Sequence, residues 1–309
     1  MKIVVVGPGA IGCLFAAYLS KSKEEIWLLD KNSLRAAKIN ENGISLEGLS
    51  GSWQGKPKTT ANPQDIGKAD LILLCVKSFN TKTAIEQIMP ILSQETKILT
   101  LQNGISNVEI ISELVGEERV IAGVTNEGST LIDIGKIRHA GRGETIIGAV
   151  DGKTPIGMRA IREIFNKVGL ECKMSRDIKS LLWSKLIINV GINALSAITR
   201  LPNGKLVEYE GTKRILRDAV TEAAKIAKRK RIKLVFDDPL AKVEAVCEGT
   251  QDNFSSMLQD VLRKKRTEVE FINGVIVRLA CELGIDVPTN KFLLDLVKTI
   301  ESSYIARAE

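Results

Sequence analysis

The chain has 309 residues, 44% of them hydrophobic and 26% charged, with a formal net charge of +7. That length suffices for two domains with a core each, and the composition excludes disordered, collagen-like and disulfide-scaffold classes. No uninterrupted apolar run approaches the roughly 20 residues of a bilayer span, and a strand-like run starting one residue after Met1 leaves no room for a signal peptide. A cytoplasmic protein without membrane contact is therefore expected.

The charge favours anionic ligands. Its densest runs, KIAKRKRIK at 225–233 and RKKR at 263–266, lack the interleaved aromatics of a base-stacking platform. They read as solvated helix surface, and no nucleic-acid partner is expected. Cys13, Cys75, Cys172, Cys247 and Cys281 are scattered, and His139 is the one histidine. No metal site or disulfide framework is expected, and each cysteine reads as a small buried hydrophobe.

Residues 1–30 read as strand, glycine turn, helix, strand. The turn is Gly7-Pro8-Gly9-Ala10-Ile11-Gly12. Its first glycine makes the tight turn, the second lets backbone amides approach a pyrophosphate, and the third lets helix and strand pack closely. An acid, Asp30, ends the next strand. It suits the ribose 2′-hydroxyl of NAD, whereas Lys31 and Arg35 just beyond suit the 2′-phosphate of NADP or form helix surface. The residues leave that choice open.

A helix at 33–42 precedes a glycine-rich stretch, 44–62, expected to be a small hairpin or a long connection. The α/β rhythm resumes with strands at 70–76 and 97–101 and helices at 81–91 and 107–114. Lys77 and Asn103 follow the two strands, where open parallel sheets bind ligands; a snorkelling lysine and a turn asparagine are the plain readings. Short strands fill 120–148, with His139 read as structural, and a helix covers 155–168.

From about 175 the periodicity turns helical: 178–199, 207–230, 238–248, 267–283 and 290–304. The expected architecture is an N-terminal Rossmann-type doubly wound parallel sheet (1–174) followed by an all-α domain (175–309).

Within 182–203, LWSKLIINVGINALSAITRLPN, the helix is apolar almost all round, marking a buried element. The exception is Lys185, Asn189 and Asn193, four residues apart on one face. Such groups are costly in a dry core, so they meet either buried partners or an oxygen-rich ligand for which Lys185 supplies charge and a proton. Ser256 reads as a helix cap or ligand hydroxyl, and Glu268 as a surface or salt-bridged carboxylate or a site one.

These stretches together resemble the ketopantoate reductase family, the 2-dehydropantoate 2-reductases. The resemblance rests on GPGAIG at 7–12, CVKS around Lys77, LQNG around Asn103, LWSKLIINVGINALSAI at 182–198, PNG at 202–204, SSMLQD at 255–260 and RTEVEFINGVI at 266–276. It implies NADPH-dependent reduction of 2-dehydropantoate to (R)-pantoate in pantothenate and coenzyme A synthesis, by a homodimer. NAD is possible, because some relatives carry a basic residue in place of Asp30. Lys185 would be the general acid, and Glu268 would bind the lysine and the substrate's terminal hydroxyl. Asn103, Asn189, Asn193, Asn203 and Ser256 would hold the substrate. Residues 7–12, Asp30, Lys31, Lys77 and Asn103 would face the cofactor. The alternatives are reduction of another small 2-keto acid and a dinucleotide-binding redox sensor without turnover.

Overall fold

The computed structural model describes residues 1–153 and 156–306. The chain forms two compact units. One is Met1–Gln102 with Asn107–Ile178; the other is Asn103–Ser106 with Lys179–Glu309. The expected division lay at 174/175, and the compact units differ from it in two ways. The break falls at Ile178 because that side chain closes on the strand at 145–149, where a Cβ on Gly148 would lie 2.7 Å from Ile178 Cβ. The short loop that follows the strand at 97–100 belongs with the helices.

In chain order the first unit contains β1 (Lys2–Val6), α1 (Ala10–Leu19), β2 (Glu25–Leu29), α2 (Ser33–Asn42), β3 (Ile44–Gly48), β4 (Trp53–Gly55), β5 (Lys58–Thr60) and β6 (Leu71–Leu74). It continues with α3 (Thr81–Ile88), β7 (Lys97–Thr100), α4 (Ser106–Val115), β8 (Val120–Thr125), β9 (Gly128–Asp133), β10 (Lys136–Gly141), β11 (Thr145–Ala149), α5 (Ile156–Lys167) and β12 (Cys172–Met174). Pro155, the expected start of α5, lies outside the described residues.

Eight strands form the main sheet in the order β12-β11-β8-β7-β6-β1-β2-β5. Six run parallel from β5 to β8, and β11 pairs antiparallel to β8. The sheet is thus mostly rather than wholly parallel, because the connection from β8 to β11 passes through the β9–β10 hairpin instead of a crossover helix. The strand order reverses between β1 and β6, which places the ligand crevice of such sheets beyond their carboxyl ends.

A second sheet, β4-β3-β10-β9, was not foreseen beyond its β3–β4 hairpin. It explains why α1 is apolar on nearly every face. The helix contacts β1 and β2 on one side and β3, β4, β9 and β10 on the other, and eight of its ten residues are buried.

Where α1 meets this sheet, His139 is 1% exposed. Its Nε2 lies 2.6 Å from Glu127 Oε2, and its Nδ1 lies 3.1 Å from Ser50 Oγ. The structural reading of His139 thus corresponds to a buried polar tie from β10 to the residue before β9 and to the turn after β3. Glu127→Ala should lower unfolding free energy by about 3 kcal/mol, since it strands a buried partner. Urea unfolding reads this directly, and an unchanged midpoint would contradict it.

Four of the five cysteines are buried or partly so; Cys281 is exposed, against expectation. Burial pushes the Cys13 thiol up to about 12.

The second unit contains α6 (Ile178–Thr199), α7 (Lys205–Glu208), α8 (Glu210–Arg229), α9 (Pro239–Gly249), α10 (Ser256–Leu262), α11 (Val269–Leu283) and α12 (Pro288–Ser302). The helix expected over 207–230 is broken at Tyr209, which is extended (φ −95°, ψ 128°). There Thr212 Oγ1 donates to the carbonyls of Leu206 and Tyr209. By length and composition α6 could cross a membrane, which counting uninterrupted apolar residues did not reveal; 67% of its most apolar window is buried, as in a core helix. Trp183, Leu186, Ile187, Val190, Ala194 and Leu195 of α6 enter the core of this unit. At Gly191 the packing is tight enough that a Cβ would meet Val220 of α8 at 2.8 Å and Val243 of α9 at 3.0 Å.

Candidate active site

Beyond the carboxyl end of β1 the chain turns at Gly7, whose φ of +101° favours glycine. A Cβ there would lie 2.7 Å from Val76 Cγ1, and one on Gly12 only 1.9 Å from the Gly7 carbonyl oxygen. Both positions therefore exclude side chains. At Gly9, the residue capping α1, a Cβ would meet nothing within 4 Å. The space beside the helix start is open, and α1 carries no acid in its first turn to oppose an anion. A dinucleotide's pyrophosphate fits this cradle: Gly9, Ala10, Ile11 and Gly12 would present backbone amides to it, with Pro8 lacking one. Lys77 lies just past β6, partly buried, on the other side of the switch point.

Asp30 closes β2 and is 1% exposed. Both its oxygens are engaged: Arg35 Nη2 donates to Oδ1 at 2.6 Å, Arg35 Nε donates to Oδ2, and Asn32 N donates to Oδ1 at 3.1 Å. The bond raises the already high proton affinity of Arg35. Sequence reasoning placed both residues near the adenosine end but did not pair them; a carboxylate and a guanidinium five residues apart across a strand end were the available signal. Lys31 is exposed beside them.

The second group of residues lies within the helical unit. Lys185 is partly buried on α6. Desolvation pulls its ammonium down to about 8, a shift that the nearby Glu268 carboxylate opposes. Glu268 is 6% exposed at the start of α11, and its side chain does not cap that helix. Its neighbour Glu270 is the surface acid, paired with Arg266 at 2.7 Å and Lys298 at 3.0 Å. Burial thus sets Glu268 apart from the surface reading.

Asn193 is 5% exposed on the same face of α6. One turn below it, Asn189 Nδ2 is buried with no hydrogen-bond partner. Asn203 Nδ2 donates to Thr250 Oγ1 at 2.9 Å, while its Oδ1 is buried and unpartnered. Leaving such atoms dry costs about 1–3 kcal/mol each, so Asn189 Nδ2 and Asn203 Oδ1 are a donor and an acceptor suited to a ligand's oxygen and hydroxyl. Ser256 is exposed and is not the cap of α10. That role falls to Ser255, whose Oγ accepts from Leu258 N at 3.1 Å.

Asn103 is partly buried in the loop that joins this unit. The loop is seated by Gly104 (φ +87°), where a Cβ would lie 2.6 Å from the Phe271 carbonyl oxygen, and by Ile105, which enters the helical core.

Two family models account for most of the chain. One, described as "Ketopantoate reductase PanE/ApbA", matches residues 3–152, and the other, its C-terminal counterpart, matches 177–301. The chain belongs to the ketopantoate reductase family. It is 37% identical over 303 residues to a 2-dehydropantoate 2-reductase of Pyrococcus horikoshii, covering 98% of each chain. It is 33% identical to one of Halobacterium salinarum, covering 96% of this chain and 98% of that one.

Among solved structures, a PanE/ApbA family ketopantoate reductase of Ralstonia eutropha superposes with a TM-score of 0.91 at 35% identity, covering 98% and 99% of the two chains. A D-mandelate dehydrogenase solved with NADH and anilino(oxo)acetate also gives 0.91, at 25% identity, covering 99% and 100%. Ketopantoate reductases are oxidoreductases, and this chain has the family's nicotinamide-dinucleotide fold.

Proposed function

We propose that this enzyme reduces 2-dehydropantoate to (R)-pantoate with NADPH, within pantothenate and coenzyme A synthesis. The observation that carries the reading is Lys185, its ammonium drawn down to about 8 by burial beside Glu268, in one compact unit with the unpartnered atoms Asn189 Nδ2 and Asn203 Oδ1.

A nicotinamide held at the glycine turn would supply the hydride for the substrate's carbonyl carbon. As that carbon is reduced, charge develops on the carbonyl oxygen, where Lys185 Nζ stabilises it and transfers a proton. Glu268 keeps the ammonium charged and accepts the substrate's terminal hydroxyl. Asn103, Asn189, Asn193, Asn203 and Ser256 orient the carboxylate, carbonyl and hydroxyl groups. Mixing the protein with 2-dehydropantoate and reduced cofactor tests the reading; no cofactor oxidation with either NADPH or NADH would overturn it.

NADPH is preferred because Arg35 neutralises Asp30, whose charge would otherwise repel a 2′-phosphate, and because Lys31 stands free of that pair. Arg35→Ala should therefore lower the NADPH to NADH ratio of kcat/KM by about 10-fold to 100-fold, the worth of a charge-assisted bond. A ratio unmoved by the substitution would assign the preference elsewhere.

The D-mandelate dehydrogenase likeness favours a second reading, reduction of a 2-keto acid with a different side chain. A panel ranked by kcat/KM decides, since only a substrate bearing a 4-hydroxyl should draw on Glu268. A cytoplasmic homodimer completes the proposal; a one-chain mass by light scattering would remove the dimer.

A further inference from the structure

We infer that Glu222, Asn290 and Asn273 form a buried chain of hydrogen bonds that sets α11 in register on α6, and with it the spacing of Glu268 from Lys185. They are positioning residues for the proposed reaction, so the inference rests on that reading.

The chain begins at Glu222 on α8. Its Oε1 accepts from Thr289 N at 2.9 Å, and its Oε2 accepts from Asn290 N at 2.9 Å and Asn290 Nδ2 at 2.8 Å. An ionised carboxylate only accepts, so Asn290 has to present its amide nitrogen to it. The second hydrogen of that nitrogen goes to the Ala219 carbonyl at 3.0 Å. Asn290 Oδ1 must then face the opposite way, where it accepts from Asn273 Nδ2 at 3.0 Å. Asn273 in turn has one hydrogen left, which reaches the Val190 carbonyl of α6 at 3.4 Å. One carboxylate thus fixes the orientation of both amides, and four helices share the result. Asn273 and Asn290 are each 0% exposed.

The polarity has a cost. Asn273 Oδ1 ends the chain buried and unpartnered, a penalty that leucine, of similar size, would not incur. Stability is a poor reason for asparagine at this position, whereas a bond that admits only one helix register is a good one.

The placement points to what the register serves. Val190 lies five residues past Lys185, and Asn273 five past Glu268. At 1.5 Å per residue each step is about 7.5 Å, so the clamp lies about 7.5 Å along each helix from the Lys185–Glu268 pair. Val190 also directly follows Asn189, whose amide nitrogen is buried and unpartnered. A slide of α11 on α6 would move the carboxylate along the ammonium and change both its support and the proton donor's aim.

The test compares Asn273→Leu and Glu222→Gln with the parent enzyme. Loss of the clamp should lower kcat for 2-dehydropantoate by about 10-fold to 100-fold, the scale of an ångström-sized misplacement, with the KM for NADPH unchanged. The alkaline limb of kcat/KM should move to lower pH, because Glu268 supports the ammonium less. Glu222→Gln should give a smaller shift in the same direction.

Titration of Lys185 by NMR with isotope-labelled lysine reads the same change without turnover. It should show a lower midpoint in both variants even if the parent is inactive toward this substrate. Absent turnover in the parent would strike the proposed function alone. A lysine midpoint unmoved in both variants, whatever their Tm, would overturn the positioning role; if Asn273→Leu fails to fold, Glu222→Gln decides alone.

Discussion

Replacing Lys185 by alanine should lower kcat for 2-dehydropantoate by about 10²–10⁴, the usual worth of a positioned general acid. Affinity for NADPH should be retained, because the glycine turn at 7–12 lies in the other compact unit. The pH profile of the parent enzyme carries the same signature. The donor must be protonated, and burial lowers its ammonium to about 8. Activity should therefore be level below that pH and fall about tenfold per unit above it. An arginine at this position would keep the charge but hold its proton too tightly to transfer it. Steady-state kinetics across the pH range measures all three effects; alanine retaining most of kcat would remove Lys185 from the chemistry.

Glu268→Gln should have the next largest effect, and its sign follows from the causes of the Lys185 shift. Burial lowers the lysine's proton affinity and the Glu268 charge raises it, so neutralising the carboxylate leaves desolvation unopposed. The alkaline limb should move below 8, and kcat/KM should fall most on that side. The KM for a substrate with a 4-hydroxyl should also rise, and a keto acid lacking the hydroxyl should lose less. Glu270→Gln is the control two residues away. Its exposed pairs with Arg266 and Lys298 contribute about 1 kcal/mol or less to stability and nothing to the profile. Equal profiles for the two variants would separate Glu268 from the proton donor.

Local chemistry made much of this molecule legible in advance. The bounds of α6 follow from a run that is apolar almost all round, and the cradle follows from three glycines, of which Gly7 and Gly12 have steric reasons at Val76 and at the Gly7 carbonyl. What the sequence did not disclose depended on partners far along the chain. The second sheet joins β3 to β10, more than 80 residues apart, and no periodicity in either strand announces the other. Ser255 and Ser256 are interchangeable as caps until the backbone selects the former. Burial separates Glu268 from Glu270, and it arises where helices from distant segments meet. The Glu222–Asn290–Asn273 chain was invisible for the same reason: three helices contribute one residue each.

Asn103 follows a strand of the sheet yet is folded among the helices, with Gly104 against Phe271 and Ile105 in their core. Every residue assigned to the keto acid consequently shares one foldable body with the proton donor, and every residue assigned only to the dinucleotide lies in the other. Taste for the electron carrier and taste for the acid can then drift separately through a lineage, each by changes confined to its own half. Free-energy losses from Arg35→Ala and Glu268→Gln should accordingly sum in the doubly substituted chain, as they do for sites with no shared partner.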